Sequence, residues 1–294
     1  MRTLEVLDPG PLSLIEDFGR PGWSAIGVSA SGAFDRASLA LANRLVGNPD
    51  GHAGIEAVLG GLCLQAGEAM VIAVTGAIGP LELQPATGQG RGARPVDRCA
   101  PVHMAAGERI RIGMPEHGLR SYLAVRGGIA LAPTLGSQSC DLLCGLGPPP
   151  LIATDLLPVG PEPDMTITVD HAPVQPMPTS LEVIPGPHHH GPDALLHPGA
   201  LAVLRSGAYL VESTSNRIGI RLRGPALPRE PGELPSAPMR PGAIQVPGDG
   251  QPIVLGPDAP TTGGFPVLAT LTPSALNAIG QARPGDLVRF HVTA

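Results

Sequence analysis

Short apolar runs separated by glycine and proline recur along most of the chain, and this pattern predicts a protein built mainly from β-strands. The stretch GIEAVLGGLCLQAGEAMVIAVTG (54–76) alternates runs of valine, isoleucine and leucine with glycine pairs, as strands joined by tight turns do. A second series of such runs begins near residue 180 and includes GALAVLRSG (199–207), which we predict to be a strand. From the pattern alone we expect two β-rich barrels or sandwiches, each carrying a helix.

Helical spacing interrupts the strand pattern at two places. The segment TPSALNAIGQ (272–281) predicts a short helix, with Thr272 or Ser274 as its N-terminal cap and Pro273 in its first turn. After Phe34, a longer helix is predicted from apolar residues at helical spacing that precede a Gly-Asn-Pro sequence. Those apolar residues are Leu39, Leu41, Ala42, Leu45 and Val46.

Proline-rich sequence between residues 146 and 180 marks the best position for a domain boundary. Stretches such as LGPPPLIATDLLPVGPEPD (146–164) differ in composition from the strand-like sequence on either side, and segments of this kind commonly separate domains. We place the boundary near residue 175. This gives an N-terminal domain of residues 1–175 and a C-terminal domain of residues 176–294.

Composition and charge restrict the class of protein. Glycine (40) and proline (36) are abundant among the 294 residues, but 43% of the residues are hydrophobic and lie in short blocks, so the chain is expected to fold. The net charge of −6 and the lack of a long basic run argue against nucleic acid as the main partner.

The sequence also predicts a cytoplasmic location. No apolar stretch approaches the ~20 residues of a membrane helix, and the first residues lead directly into strand-like sequence, so we expect neither secretion nor membrane insertion. The four cysteines do not form a dense framework, which fits reduced thiols better than disulfides.

The segment VSASGAFDRASLALANRLVGN (28–48) is the first that could carry chemistry. Small polar residues precede a helix whose first N–H groups are unpaired, and such a loop suits an anion or a carbonyl oxygen. The alternative is that Ser31 or Asp35 only caps the helix. On the local sequence alone, capping is the favoured interpretation.

The segment GPDAPTTGGFPVLATL (256–271) is the second. Thr262 precedes Gly263 and Gly264, where backbone amides could approach a substrate closely because no side chain is in the way. Asp258 lies nearby and could act as a base or as a hydrogen-bond acceptor. The alternative is a hairpin loop whose residues were selected for their turn geometry.

The segment STSNRIGIRLRGPAL (213–227) is the third. Arg221 and Arg223 lie on one face of a predicted strand, and Arg217 precedes them in the turn. Guanidinium groups in this arrangement could hold a carboxylate or phosphate through paired hydrogen bonds. Solvated arginines on an exposed strand face are the alternative.

We expect no metal site. Three consecutive histidines, residues 188–190, cannot converge on one ion from a strand, and no matching set of cysteine and histidine is present. Cys140 and Cys144 lack a second pair at zinc spacing. The sequence also contains no phosphate-binding loop, no GxSxG nucleophile motif and no HExxH motif.

Several motifs occur in an order that is typical of one protein family. They are VLDPGPLSLIEDFGRPGWSAIGVSASGAFD (6–35), RSYLAVRGGI (120–129), LGSQS (135–139), SNRIGIRLRGPAL (215–227), GAIQVPGDGQPIVL (242–255), TTGGFPVLA (261–269) and GQARPGDLVRF (280–290). In these motifs, and over nearly its whole length, the chain resembles the biotin-dependent carboxyltransferase family. That family includes the second subunit of allophanate hydrolase type, the kinase-inhibitor antagonist KipA and the C subunit of 5-oxoprolinase.

The resemblance implies a mainly β fold with two cyclophilin-like β-barrel domains and a few short helices. It also implies a subunit of ATP-dependent 5-oxoprolinase, a hydrolase that opens the lactam of 5-oxoproline to glutamate. Such a subunit works in a hetero-oligomer with a protein like the B subunit of 5-oxoprolinase and with a LamB/YcsF-like A subunit. Which of these proteins binds ATP is left open.

Two other functions of this family remain open at this point. In the first, the chain is a carboxyltransferase subunit that moves a carboxyl group from carboxybiotin to urea or a related amide. Because the sequence has no Met-Lys pair for biotin attachment, the biotin would be on a separate carrier. In the second, the chain is a regulatory subunit that antagonises a kinase inhibitor.

The family motifs fall on the three segments described above. The SGAxD motif falls on Ser31, Gly32, Ala33 and Asp35, and the SNRxGxRLxGP motif includes Arg217 and Arg221. The TGGYP motif falls on residues 262–266, with phenylalanine at position 265 where the family usually has tyrosine.

Both family reactions act on an amide or ureide and need donors for a carbonyl oxygen that gains charge, a group that handles a proton, and an anchor for an anion. We hypothesise that backbone amides at residue 32 and at residues 263–264 supply the donors. Asp35 or Asp258 would handle the proton, and Arg217 or Arg221 would hold the anion.

Overall fold

The computed structural model describes residues 2–88, 92–174, 178, 180–188, 195–232 and 234–293. In these ranges the chain is mainly β, with 20 strands and three α-helices, so the predicted fold class is confirmed. None of the helices in the described ranges is long and apolar enough to cross a membrane.

The chain forms two compact units. Met1–Arg20, Asp35–Cys140 and Gly145–Pro176 belong to the first unit, and Pro21–Phe34, Asp141–Cys144 and Met177–Ala294 to the second. The predicted domain boundary at residues 175 and 176 lies outside the described residues and stays a prediction.

The first unit contains two antiparallel sheets. One sheet has the strand order β11-β1-β4-β9-β6-β7 and the other the order β2-β3-β10-β5-β8. The strands are β1 (Thr3–Pro9), β2 (Leu12–Glu16), β3 (Gly54–Val58), β4 (Leu62–Ala66), β5 (Met70–Ile78), β6 (Leu81–Gln84), β7 (Arg94–Pro95), β8 (Pro101–Met104), β9 (Arg109–Ile112), β10 (His117–Val125) and β11 (Leu156–Pro158). Aliphatic residues from both sheets form the core, as expected for a chain with 2% aromatic residues.

The alternation of strand side chains divides the second of these sheets into an apolar and a polar face. Ile55 and Leu123 are cross-strand partners and belong to the core, whereas their neighbours Glu56 and Tyr122 pair on the opposite face. Helix α1 (Arg36–Leu45) packs on β5 and β10, so this polar pair is buried as well. A buried polar pair of this kind requires hydrogen-bond partners.

Tyr122 supplies these partners at the start of α1. Its hydroxyl donates to Glu56 Oε2 at 2.7 Å and accepts from the backbone N–H of Asp35 at 2.8 Å. The guanidinium of Arg120 donates to the other Glu56 oxygen at 3.2 Å. The polar face of the sheet therefore binds the N-terminus of the helix that covers it.

The second unit contains a closed barrel with the strand order β12-β19-β16-β17-β14-β13-β20, and β15 pairs only with β18. The strands are β12 (Ser180–Pro185), β13 (Tyr209–Val211), β14 (Gly219–Arg223), β15 (Ala237–Pro238), β16 (Ala243–Gln245), β17 (Ile253–Leu255), β18 (Thr262–Gly263), β19 (Val267–Leu271) and β20 (Leu287–Val292). Aliphatic residues and the rings of Phe34, Tyr209 and Phe290 make up its core.

Two helices accompany the barrel, and one of them lies where the sequence predicts a strand. Helix α3 (Pro273–Ile279) is capped by Thr272, whose Oγ1 accepts from Ala275 N. Thr272 is one of the two caps that the sequence predicts. The prediction of a strand at 199–207 is wrong, because α2 (Ala200–Ser206) occupies it. Ala200 and Leu204 are the buried residues of α2, and their spacing of four residues is typical of one helix face. The apolar residues between them make this spacing hard to recognise in the sequence.

We predict that the two tyrosines of the chain differ in their contribution to stability. Tyr122→Phe leaves the Asp35 N–H and a Glu56 oxygen without this buried partner, so it should lower the free energy of unfolding by about 2–3 kcal/mol. Tyr209 donates one bond to Pro225 O at 3.2 Å, and Tyr209→Phe should cost only about 1 kcal/mol. Urea denaturation of both variants measures the difference, and equal losses would contradict the account.

Stability should also fall in alkaline solution. Burial raises the pKa of Tyr209 to about 12 and that of Tyr122 well above its usual value. The folded protein therefore keeps protons that the unfolded chain releases near pH ~10, so the stabilisation is complete below pH ~10 and is lost as the pH rises toward 12. Absorbance at the tyrosinate band should stay low in the folded protein until unfolding begins. Titration of either tyrosine near pH ~10 in the folded state would refute this.

Candidate functional site

Three predicted site residues meet in a buried cluster of the second unit. Arg217 Nε and Nη2 donate to Asp258 Oδ2 and Oδ1 at 2.8 and 2.9 Å, which makes a paired, two-point salt bridge. Ser31 Oγ donates to Asp258 Oδ1 at 2.7 Å. We call this group the Ser31–Arg217–Asp258 cluster. Asp258 and Ser31 are fully buried and Arg217 is 2% exposed, so bulk water does not screen the pair.

The cluster fixes the loop that precedes α1. Arg217 Nη2 also donates to Gly32 O at 2.7 Å, and Ser31 N donates to Pro257 O at 3.1 Å. Ser31 has a φ of 51°, a left-handed conformation that few residues other than glycine adopt without strain. Such a backbone persists where surrounding contacts hold it in place, and here the hydroxyl and the neighbouring carbonyl are both held.

A second buried carboxylate, Asp141, holds a turn beside the cluster. Its Oδ1 accepts from Leu143 N at 3.0 Å and Cys144 N at 2.9 Å, and its Oδ2 accepts from Ser29 Oγ. Leu142 N points to Asp258 Oδ2 at 3.4 Å. Sequence reasoning missed Asp141 and Ser29. The available signal was the position of Asp141 shortly after the LGSQS motif, where an aspartate commonly accepts from N–H groups two and three residues ahead.

Asp258 therefore has the contacts of a positioning group. Both of its oxygens accept hydrogen bonds, and its charge is matched by a guanidinium. A carboxylate that transfers a proton needs access to the reacting group, whereas this one is fully buried. These contacts favour a role in holding Ser31 and Gly32, and its role in proton transfer stays a prediction.

Asp35 belongs to the first unit and caps α1. Its Oδ1 accepts from Ser38 N at 3.0 Å and its Oδ2 from Ser38 Oγ at 2.6 Å. The capping interpretation is thus confirmed for Asp35. A catalytic role for this residue stays a prediction.

The remaining predicted residues lie on β14 of the barrel and in the loop that contains β18, which pairs with β15. Arg221 is exposed on β14, apart from the buried Arg217 that precedes the strand. Thr262 is exposed in β18, while Gly263 and Gly264 are half-buried. Because Thr262 follows Asp258 by four residues, this loop begins no more than about 14 Å from the Ser31–Arg217–Asp258 cluster.

Two family motifs bind each other within the first unit. Asp17 Oδ1 accepts from the hydroxyls of Ser137 and Ser139, each at 2.6 Å, and Oδ2 accepts from Gln138 N at 2.7 Å. Arg20 donates to the backbone carbonyls of Ser139 and Thr134. The DFGRPG and LGSQS motifs therefore owe their residue types to mutual hydrogen bonding.

The described residues contain no group of three or more His, Cys, Asp or Glu side chains that could hold a metal ion. His188 Nδ1 accepts from Val267 N at 3.0 Å, and burial lowers the pKa of its imidazole. His189 and His190 lie outside the described residues. In the described part of the chain, neither Cys140 nor Cys144 forms a disulfide.

Comparison with known proteins gives a consistent result. A model of the family described as "Carboxyltransferase domain, subdomain A and B" matches residues 26–292. The chain is 35% identical to the C subunit of 5-oxoprolinase from Escherichia coli (strain K12), over 98% of this chain and 90% of that protein. It is 31% identical to the urea amidolyase of Lachancea kluyveri, over 98% of this chain but 17% of that protein.

Solved structures show the same relationship. The crystal structure of TTHA0988 superposes with a TM-score of 0.86 at 33% identity, and the match covers 100% of this chain and 56% of that one. The K. lactis urea amidolyase gives a TM-score of 0.88 at 29% identity, covering 99% of this chain and 19% of that one. The chain therefore spans about half the length of TTHA0988 and a smaller share of the urea amidolyases.

We predict that the Ser31–Arg217–Asp258 cluster is a major determinant of stability. Arg217→Met leaves Asp258 buried without a countercharge and should lower the free energy of unfolding by about 3–5 kcal/mol. The matched control is Arg223→Met, because Arg223 is exposed and faces Glu212 at 3.8 Å, and exposed pairs contribute about 0–1 kcal/mol. Thermal and urea denaturation compare the two variants. A loss for Arg217→Met no larger than for the control would contradict the prediction.

Proposed function

The chain belongs to the carboxyltransferase domain, subdomain A and B, family, and from this membership we propose that it is the C subunit of an ATP-dependent 5-oxoprolinase. In this role it helps to open the lactam of 5-oxoproline to glutamate as part of a hetero-oligomer. The observation that carries the proposal is the 35% identity to the C subunit of the Escherichia coli 5-oxoprolinase, over 98% of this chain and 90% of that protein.

The chemistry of lactam opening matches what the second unit offers. A carbonyl oxygen that gains negative charge needs hydrogen-bond donors fixed in advance, and the Ser31–Gly32 loop is held in one conformation by the salt bridge between Arg217 and Asp258. We propose that this loop and the Gly263-Gly264 loop supply backbone donors. A misplacement of only about 1 Å in such a group can reduce a rate by about 100-fold, so the buried cluster serves the reaction through position.

The two arginines then take different roles. Arg217 already donates to Asp258 and to Gly32 O, and we propose that it is a positioning residue. Arg221 is exposed on β14 and is the better candidate for the carboxylate of 5-oxoproline. Asp258 is likewise proposed to act by holding the loop, and Asp35 by holding the helix start, rather than by exchanging protons with bulk solvent.

The sequence lacks the lysines that bind ATP in phosphate-binding loops and that carry biotin. All 19 basic residues are arginines, so a phosphate-binding loop lysine and a biotinyl-lysine are both missing from the sequence. The guanidinium of the cluster is already paired with Asp258, so it is not available to a triphosphate. We therefore propose that ATP is bound by a partner protein, either the one like the B subunit of 5-oxoprolinase or the LamB/YcsF-like protein.

A second candidate function is carboxyl transfer to urea or a related amide. It is favoured by the 31% identity to urea amidolyase over 98% of this chain and by the TM-score of 0.88 to the K. lactis urea amidolyase. In this case the carboxyl donor would be carboxybiotin on a separate carrier. The two candidates share a substrate with an amide carbonyl.

Reconstitution tests the proposal. The chain combined with a protein like the B subunit of 5-oxoprolinase, a LamB/YcsF-like protein, ATP and 5-oxoproline should form glutamate, and omission of the chain should abolish it. Avidin should have no effect, since avidin sensitivity is expected only for carboxyl transfer from biotin. Failure of the complete mixture to form glutamate would overturn the proposal.

A variant of Ser31 tests the site. In the same assay, Ser31→Ala should lower kcat/KM by about 10–100-fold, because the loop loses its bond to Asp258. Ser206→Ala, at an exposed position of α2, is the matched control and should retain full activity. Circular dichroism confirms that both variants fold. Unchanged kcat/KM in folded Ser31→Ala would show that the hydroxyl does not position the site.

A further inference from the structure

Gln245 presents a buried carboxamide that its surroundings leave largely unsatisfied. The residue is 7% exposed. Within the described ranges its Nε2 donates only to the thioether sulfur of Met239, at 3.4 Å, and a thioether is a weak acceptor. No donor among the described residues forms a hydrogen bond with its Oε1. That oxygen is not one of the fully buried atoms that lack a partner, so it reaches solvent and can accept from a ligand.

The local backbone directs this side chain away from the barrel interior. Ile244 and Val246 belong to the barrel core, so strand alternation places Gln245 on the other face with Ala243. The pairing between β16 and β19 shifts register at this point, and Leu268 is the extra residue on β19, so β16 keeps its regular alternation. The carboxamide therefore reaches the outer side of the barrel at the end of β16.

The loop of residues 261–265 (the TTGGF loop), which contains Gly263 and Gly264, lies directly against this carboxamide. A Cβ on Gly263 would stand 2.9 Å from Gln245 Nε2, so a residue larger than glycine would have to displace the amide. Ala243, Ala259, Val267 and Leu255 form a small apolar cluster beside it, with Met239 packed against them. The carboxamide is therefore a polar group beside apolar side chains and a glycine-rich loop, a combination that small-molecule sites commonly use.

We propose that Gln245 is a specificity-determining residue that recognises the amide edge of the substrate. A lactam is held in the cis form by its ring, so its N–H and C=O lie side by side. A carboxamide offers the complementary pair: Oε1 accepts from the lactam N–H and Nε2 donates to the lactam C=O. Paired recognition of this kind is how glutamine and asparagine read the N–H and ring nitrogen of adenine.

This inference rests on the proposed function for its substrate class, an amide or ureide. Urea presents the same combination of N–H and C=O as a lactam, so Gln245 would serve either candidate reaction. A lactone keeps the carbonyl and the ring but replaces the N–H by oxygen. The lactone therefore removes one half of the proposed pair and little else.

The experiment changes the ligand and the side chain in turn and measures binding for each combination. Calorimetric titration of the reconstituted complex and of the full chain uses three probes: 5-oxoproline, its ring-oxygen analogue 5-oxotetrahydrofuran-2-carboxylate, and urea. The wild-type protein should bind the lactam at least about 10-fold more tightly than the lactone. Gln245→Leu should weaken lactam binding by about 10–100-fold and lactone binding much less, so that discrimination is lost.

Gln251→Met is the matched control. The Gln251 carboxamide lies in the same barrel but already accepts from Gly224 N at 2.8 Å and donates to Gly224 O at 3.3 Å. This variant should lose some thermal stability and keep its preference for the lactam. Melting curves establish that all variants are folded at the temperature of titration.

The outcomes separate this inference from the proposed function. If folded Gln245→Leu keeps the wild-type ratio of lactam affinity to lactone affinity, the role of Gln245 is overturned. This holds even if the variant binds both rings more weakly than the wild type. Urea binding that depends on Gln245, with neither lactam binding nor glutamate formation, supports the residue's role and overturns 5-oxoprolinase function. If neither the wild-type chain nor the wild-type complex binds 5-oxoproline or urea, the inference is overturned.

Discussion

The salt bridge between Arg217 and Asp258 is the interaction on which the second unit's candidate site depends. Removing two charges from water is unfavourable, and their attraction compensates only when the geometry is good and the remaining hydrogen-bonding groups are satisfied. Both conditions are met: the guanidinium makes two bonds to the carboxylate, Ser31 adds a third, and Arg217 also binds Gly32 O. The pair therefore holds the loop in a conformation in which Ser31 has a left-handed backbone. Such a backbone is strained and persists only where surrounding contacts fix it.

The consequence for function is that the second unit contains one loop fixed by buried contacts and one that is more exposed. Residues 29–32 and the 141–144 turn are held by two buried carboxylates, Asp258 and Asp141, whereas the TTGGF loop is partly exposed and makes a short two-stranded ladder. A site for amide chemistry benefits from fixed donors and from a loop with room for the substrate. The family relationship supplies the class of reaction, and these contacts supply the physical reason that the motifs have their composition.

Much of the fold could be predicted from the sequence because the relevant signals are local. Glycine and proline separate the strands, Thr272 precedes a proline and caps a helix, and the order of motifs indicates the family, which the comparisons confirm. The segment at 199–207 is mispredicted, because alanine, valine and leucine in a short run suit a strand as well as a helix. There the barrel packing, rather than the sequence, decides the structure.

The site was harder to predict, because its contacts join residues far apart in the chain. Arg217 and Asp258 both stand out in their motifs, but their pairing, and hence the burial of both, depends on the tertiary fold. Asp141 and Ser29 were missed for the same reason. Gln245 lies in the GAIQVPGDGQPIVL motif, where alternation with Ile244 and Val246 places it outside the barrel core, but its packing against Gly263 depends on the tertiary fold.

In this arrangement Asp258 acts through Ser31, and a double-mutant cycle measures that coupling directly. Ser31→Ala, Asp258→Asn and the double variant are compared by kcat/KM for glutamate formation in the reconstituted complex. If the two residues form one positioning unit, the double variant should be no worse than the more severe single variant, a coupling of about 5–100-fold. Losses that simply multiply would show that the two side chains act independently and would contradict the account.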